Sequence, residues 1–215
     1  MPYAKDHKVK SRNRILQSAT ELFSRYSFEK VSIGEIMQKA KMTHGAFYAH
    51  FESKEALFRA SFLETLKNSR AARLIKGPLS LRHLTRLVTN YLNLRELENN
   101  HQPGPETILV NEIGNHSNSV KPLFEESYNK LKKMIEIRIA ALIKLKRLPL
   151  EADRELIAEK ARAILVALIG AIAIARNLSQ EEGRKILESA QKQILTMLGV
   201  SENELMVDGT NHVNG

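Results

Sequence analysis

The stretch Val31-Ser-Ile-Gly-Glu-Ile-Met-Gln-Lys-Ala-Lys-Met-Thr-His-Gly-Ala-Phe-Tyr-Ala-His-Phe-Glu-Ser-Lys-Glu-Ala-Leu57 decides the fold. Ser32-Ile-Gly-Glu35 is a capping box, in which the hydroxyl and the carboxylate each satisfy a backbone N–H that a helix start leaves orphaned. It opens a short helix that buries Ile33, Ile36, Met37 and Ala40. Lys41 and Met42 separate that helix from Thr43, a good N-cap for a second short helix ending near His50 or Phe51. Ser53 then caps a long helix through Leu57, Phe58, Phe62 and Leu66, which is predicted to stop before Gly77-Pro78. Helix, tight turn and helix have the layout of a helix-turn-helix, in which the second helix enters the major groove of a duplex.

The second short helix has two faces. Met42, Phe47 and Phe51 turn inward, while His44, Gly45 and Tyr48 fall at i, i+1 and i+4 and share the outward face. Gly45 and Ala46 are small enough to let the backbone approach a base or phosphate, and His44 and Tyr48 offer hydrogen bonds there. Free N–H groups at the helix starts Ser32, Thr43 and Ser53 suit phosphate oxygens. Lys5, Lys8, Lys10, Arg12 and Arg14 precede or open the first helix as a basic arm, and Lys54 opens the fourth. The same spacing also arises in all-α proteins that bind no DNA, so spacing alone leaves both readings open.

Outward from this stretch the apolar residues keep helical spacing, and no convincing strand is found. The first helix is predicted from Lys8 to Tyr26, burying Ile15, Ala19, Leu22 and Phe23 as one stripe. Further helices are predicted at about 80–97, 105–115, 120–146, 151–177 and 180–198, with a loop over 98–104. Ser179-Gln-Glu-Glu182 repeats the capping box, and Gly199 is placed to end the last helix in the left-handed conformation. Residues 201–215 are too polar to offset the cost of ordering and are expected to form a disordered tail. The expected domains are 1–52 for DNA binding and 53–200, helical, for ligand binding and dimerisation.

Composition narrows the class. The 215 residues carry 33 Lys and Arg against 24 Asp and Glu, a formal charge of +9 that favours polyanionic partners. The chain has no Cys, which excludes disulfides and thiolate chemistry and fits the cytoplasm. The longest apolar run, Ala163 to Ala175, falls short of the roughly 20 residues of a bilayer span, so no membrane partner is expected. No His-Glu-x-x-His, Gly-rich phosphate loop or Gly-x-Ser-x-Gly elbow is present, and the His residues lack metal-ligand spacing. Neither an enzyme nor a metal or cofactor is expected. Glu96 with Glu98, Glu125 with Glu126 and Glu181 with Glu182 point apart on a helix and read as solvated faces.

From Arg14 to Leu57 the chain resembles the DNA-binding domain of the TetR (tetracycline repressor-like) transcriptional regulators. Arg14-Ile-Leu16, Leu22-Phe23, Val31-Ser-Ile33 and above all Gly45-Ala-Phe-Tyr-Ala-His-Phe51, followed by Ser53-Lys-Glu55 and Leu57, carry the resemblance. It departs at Ser27 and Lys41, where the family usually has Gly to relieve left-handed strain after a helix. The resemblance implies an all-α fold: an N-terminal three-helix helix-turn-helix domain and a larger C-terminal helical domain. It implies phosphate contacts from Ser32, Thr43, Tyr48, His50 and Lys54, and groove contacts from Thr43, His44, Gly45 and Ala46, with His44 as discriminator.

The resemblance further implies a homodimer on a palindromic double-stranded DNA operator, most simply a repressor released by a small-molecule inducer. Phe62, Tyr91, Asn111, His116, Phe124 and Tyr128 are candidates for the ligand-binding site. Leu165, Leu168, Ile172, Leu187, Ile194 and Leu195 are candidates for the dimer interface, since the last two helices look like the family's dimerising pair. The fourth helix, running from the reading helix toward the larger domain, is the expected lever between ligand and DNA. Two other classes compete: a DNA-binding protein whose larger domain holds a protein partner, and a helical enzyme with a coincidental helix-turn-helix.

Overall fold

A computed structural model of the chain describes residues 2–68, 78–93, 105–115, 118 and 120–200. Every regular element among them is helical, as the apolar spacing predicts. The expected loop at 98–104, the tail at 201–215 and His116 lie outside the described residues.

Helix α1 spans Pro2–Phe23 and buries Ile15, Ala19 and Phe23 completely. It begins earlier than expected because Pro2 suits a first helical turn, where no N–H is missed. The basic run is therefore the first turns of α1 and not an arm. The helix stops short of Tyr26, where Ser24 and Tyr26 close a turn by donating to the carbonyls of Thr20 and Leu22.

Helix α2 spans Ile33–Lys39, and its capping box is complete. The Glu35 N–H donates to Ser32 Oγ at 3.1 Å, and the Ser32 N–H and hydroxyl both donate to Glu35 Oε2 at 2.7 Å. At the other end Met42 N–H donates to the Met37 carbonyl and Lys41 N–H to that of Gln38, a Schellman closure. This closure puts Lys41 in the left-handed region at φ 53°, at a cost of roughly 1 kcal/mol for a residue with a Cβ. Ser27 is different. Its φ of −65° and ψ of 157° are extended, so no glycine is needed there.

The next segment, His44–Ala49, is a 3₁₀ helix, followed by α3 over Lys54–Asn68. Ser53 caps α3 as expected, its Oγ accepting from the Ala56 N–H at 3.1 Å. Leu57, Phe58, Phe62 and Leu66 are all buried. The Phe58 ring meets those of Phe23 at 5.0 Å and Phe28 at 5.4 Å edge-on, joining α1, α3 and the connection between α1 and α2.

Helices α4 (Leu81–Tyr91), α5 (Pro105–Asn111), α6 (Val120–Lys144), α7 (Arg154–Ala175) and α8 (Gln180–Met197) follow. Two compact units result, one drawn from residues up to 71 and 102–128, the other from 72–101 and from 129 onward. In the first, α5 packs on α3; in the second, α8 packs on α7 and α4. The end of α4 falls at Tyr91, short of residue 97, where the Gln191 amide of α8 donates to the Leu92 carbonyl at 2.9 Å and so caps it. Asp153, not Glu151, starts α7 by accepting from the Leu156 N–H at 2.7 Å. Gly199 ends α8 at φ 72° with the 6→1 bond from Val200 N–H to the Leu195 carbonyl. A Cβ at Gly199 would lie 2.7 Å from Pro149 Cγ, so packing and backbone both require glycine there. Among the described residues no helix is long and apolar enough to cross a membrane.

Candidate nucleic-acid interface

The 3₁₀ helix His44–Ala49 hangs from its apolar underside. Phe47 is fully buried and stacks near Phe51 at 6.0 Å, while the Arg12 guanidinium lies 4.8 Å above the Phe51 ring. Arg14, read from sequence as part of a basic arm, serves the fold instead: its Nη2 donates to the Ala40 carbonyl at 2.7 Å and closes the end of α2. That bond fixes the turn Lys41–Met42 from which the 3₁₀ helix departs.

With this underside fixed, His44, Gly45 and Tyr48 face solvent as their spacing predicts, Tyr48 being 62% exposed. The His44 and Tyr48 rings stand edge-on at 6.4 Å and flank Gly45. Ala46 is half-buried. A Cβ built on Gly45 meets nothing within 4 Å. Neither packing nor a positive φ therefore asks for glycine at this position, which in a helix interior costs roughly 0.5–1 kcal/mol relative to Ala. Thr43 adopts the extended N-cap backbone, yet its hydroxyl makes no capping bond. The residue is exposed.

Three other predicted contacts have more occupied surroundings. The Ser32 hydroxyl and N–H are held by Glu35, whose carboxyl these bonds keep below the usual range. Ser32 is thus engaged as a cap, a role compatible with a phosphate contact. His50 is half-buried, with Nδ1 unbonded among the described residues. Burial, then the positive charges of Lys8 and Arg12, hold its pKa below the ordinary histidine value. The Lys54 ammonium sits 4.2 Å over the Phe28 ring, and burial lowers its pKa while surrounding carboxylates of Glu29, Glu55, Glu112 and Glu35 oppose the shift.

Lys8 and Arg12 thus act on His50 at the end of the exposed segment, a cationic group suited to phosphates flanking a groove, while Lys54 stands apart over the Phe28 ring. The sequence reading took Arg14 for an arm cation and missed Glu112, since bonds to residues 26 and 84 positions away leave no local signal.

The other candidates separate. Phe62 is buried in the core of the first unit, and the Asn111 amide donates to the Phe23 carbonyl at 3.0 Å. Phe124 and Tyr128 are half-buried on one face of α6, and Tyr91 is half-buried at the end of α4. Leu165, Ile172, Leu187, Ile194 and Leu195, expected between two copies, are already buried within one chain, largely where α7 and α8 pack together. Leu168 alone of the six stays half-buried. The apolar residues left outward on α7 include Val166, 71% exposed, and Ile174, 50% exposed.

Residues 15–61 match the family model described as bacterial regulatory proteins, tetR family. The A-factor receptor protein of Streptomyces griseus is 42% identical over 52 residues, which are 24% of this chain and 19% of that protein. The match to such curated relatives spans less than a third of their own length. Among solved structures, the reduced form of Escherichia coli NemR superposes with a TM-score of 0.69 at 15% identity, covering 89% of this chain and 100% of that one. The TetR family regulator CifR, solved as a cysteine mutant with 26-bp double-strand operator DNA, gives 0.66 at 18% identity over 84% of this chain and 94% of its own. At these identities the likeness is one of fold.

Proposed function

We propose that the chain is a TetR-family transcriptional regulator, a repressor that binds a palindromic operator as a homodimer and is released by a small-molecule inducer. Gly45 carries the DNA part of this reading: an exposed glycine that the fold does not need, between two exposed hydrogen-bonding rings, makes sense where another backbone or base must come close. Ser32, Thr43, Tyr48, His50 and Lys54 then meet phosphates, and Thr43, His44, Gly45 and Ala46 meet base edges.

The test uses a duplex selected from a random pool. Lys54→Ala is expected to weaken binding to all sequences and to lower the salt slope by about one counterion, whereas His44→Ala shifts preference at one base pair by about 1–3 kcal/mol. Sedimentation of the same complex is expected to show two chains per operator. If both variants bind like the parent, or one chain saturates the site, the reading fails.

For the dimer, the outer stripe of α7 through Val166, Gly170, Ala173 and Ile174, at i, i+4, i+7 and i+8, supports an interface on that helix, whereas Leu168 lies on the opposite face. The domain from residue 53 to 200 is the proposed ligand-binding and dimerisation part. Within it Phe124 and Tyr128, four residues apart on α6, are the best-placed ligand contacts, since Phe62 is core and the Asn111 amide is engaged.

An inducer at 100 times its dissociation constant adds about 2.7 kcal/mol, a rise in melting temperature of about 5–10 °C for a chain of this size. A thermal screen of metabolites and drugs is expected to yield such a compound, and that compound is expected to release the selected duplex. Stabilising compounds that all leave the duplex bound would remove the inducer from the proposal. Release requires only a small change in the spacing of two reading helices that must meet grooves about 34–36 Å apart, and α3, which starts beside the reading helix, is the proposed lever.

A further inference from the structure

The turn after α5 reaches the DNA-binding helices through two side chains. Asn111 Nδ2 donates to the Phe23 carbonyl at 3.0 Å, and Glu112 Oε1 accepts from the Phe28 N–H at 2.6 Å. Together they clasp both ends of the connection Ser24–Ser27 between α1 and the rest of the helix-turn-helix. Glu112 is 3% exposed, and Asn115 donates to its other oxygen at 2.9 Å.

Satisfying one buried N–H does not call for a carboxylate, since a neutral acceptor does it without the cost of burying charge. What lies around the Phe28 end explains the choice. The Phe28 ring rests against Lys54 and Phe58, which are neighbours at i and i+4 on α3, with the Lys54 ammonium 4.2 Å above the ring. Glu112 is one of the carboxylates acting on that ammonium; Glu29 is another, and burial of Glu112 itself raises its pKa against the bonds from Phe28 and Asn115.

We propose that Glu112 is a positioning residue for DNA binding: by holding the Phe28 N–H it keeps the Phe28 ring beneath the Lys54 ammonium, and so sets where Lys54 meets a phosphate. The inference rests on the reading of Lys54 as a DNA contact. It adds a residue from outside the helix-turn-helix, joined to Phe28 across 84 positions of sequence, and makes the end of α5 a control point for the DNA surface.

The experiment uses the full chain, the selected duplex and a random duplex, with Glu112→Gln, Glu112→Ala, Lys54→Ala and the double variant Lys54→Ala with Glu112→Ala. Gln keeps an acceptor for Phe28 and lets the Asn115 amide turn over, so it tests charge with little disturbance should Ala disrupt folding. The Phe28 amide proton, shifted downfield by a short bond to a carboxylate, is followed by NMR as the signature of the clasp. Glu112→Ala is expected to lose that shift, to weaken both duplexes by about fivefold and to lower the salt slope by about one, as Lys54→Ala does. Glu112→Gln is expected to lose part of each. The double variant is expected to bind no more weakly than Lys54→Ala alone, because one residue acts through the other.

Losses that multiply in the double variant overturn the proposal. So does a Glu112 variant that moves the Phe28 proton and leaves affinity and salt slope at the parent values while Lys54→Ala still weakens binding; in that case the DNA reading stands and only the positioning role falls. If Lys54→Ala itself changes nothing, the interface reading falls and the proposal with it.

Discussion

Phe58→Ala is expected to destabilise the first unit by about 3–5 kcal/mol, the largest effect of any single truncation considered for the chain. The ring is 1% exposed and lies edge-on to both Phe23 and Phe28, so its removal leaves a cavity where α1, α3 and the Phe28 turn converge. Each aromatic pair adds roughly 0.5–1.5 kcal/mol beyond simple burial, which puts the loss at the upper end of the range. Against a total stability of about 5–15 kcal/mol such a loss leaves little of the helix-turn-helix folded on warming. Phe58→Leu, which refills much of the volume, is expected to lose less than about 1.5 kcal/mol. Denaturant unfolding followed by far-UV circular dichroism measures both. A midpoint for Phe58→Ala within about 1 kcal/mol of the parent would show that the three rings are not the joint of this unit.

That joint also marks where local sequence stops informing. The capping box at Ser32 and Glu35 and the left-handed Gly199 were legible because each is completed within a few residues. The outward set His44, Gly45 and Tyr48 was legible because its small and hydrogen-bonding residues contrast with the wholly apolar Phe47 and Phe51, which the fold buries. Contacts between distant segments leave no such periodic trace. The bond from Arg14 to the Ala40 carbonyl, that from Gln191 to the Leu92 carbonyl, and the Glu112 clasp on Phe28 each join polar residues whose own surroundings read as ordinary surface.

Apolarity has a related blind spot, since it records that a side chain leaves water and not which chain covers it. Leu165, Ile172, Leu187, Ile194 and Leu195 have the pattern of an interface, and one chain suffices to bury them. Ser27 and Lys41 were alike as residues standing where a family glycine is usual. Only the hydrogen bonds after α2, which close through Lys41, show that the left-handed strain falls on one of them.

Gly45→Val is expected to leave stability within about 0.5 kcal/mol of the parent and to weaken the selected operator by about a hundredfold or more, equivalent to roughly 2.7 kcal/mol. The two halves of this expectation come from different observations. Space around a Cβ at Gly45 is open to 4 Å within the chain, and its backbone needs no positive φ, so the folded protein has no reason to object to a side chain. Any objection must come from a partner. His44 and Tyr48 on either side define the height at which that partner sits, and a branched side chain rising between them holds the helix backbone away from a base edge. It thereby lengthens every hydrogen bond that His44 and Thr43 would make, and such bonds weaken steeply with distance and angle. Gly45→Ala, adding one methyl, is expected to lose less than Val in the same titration, giving a graded series on one position. Thermal unfolding and fluorescence anisotropy on the same samples separate the two effects. A Gly45→Val protein that melts with the parent and binds the operator as tightly would mean that no groove approaches this face, and the reading helix would have to be sought elsewhere on the positively charged surface.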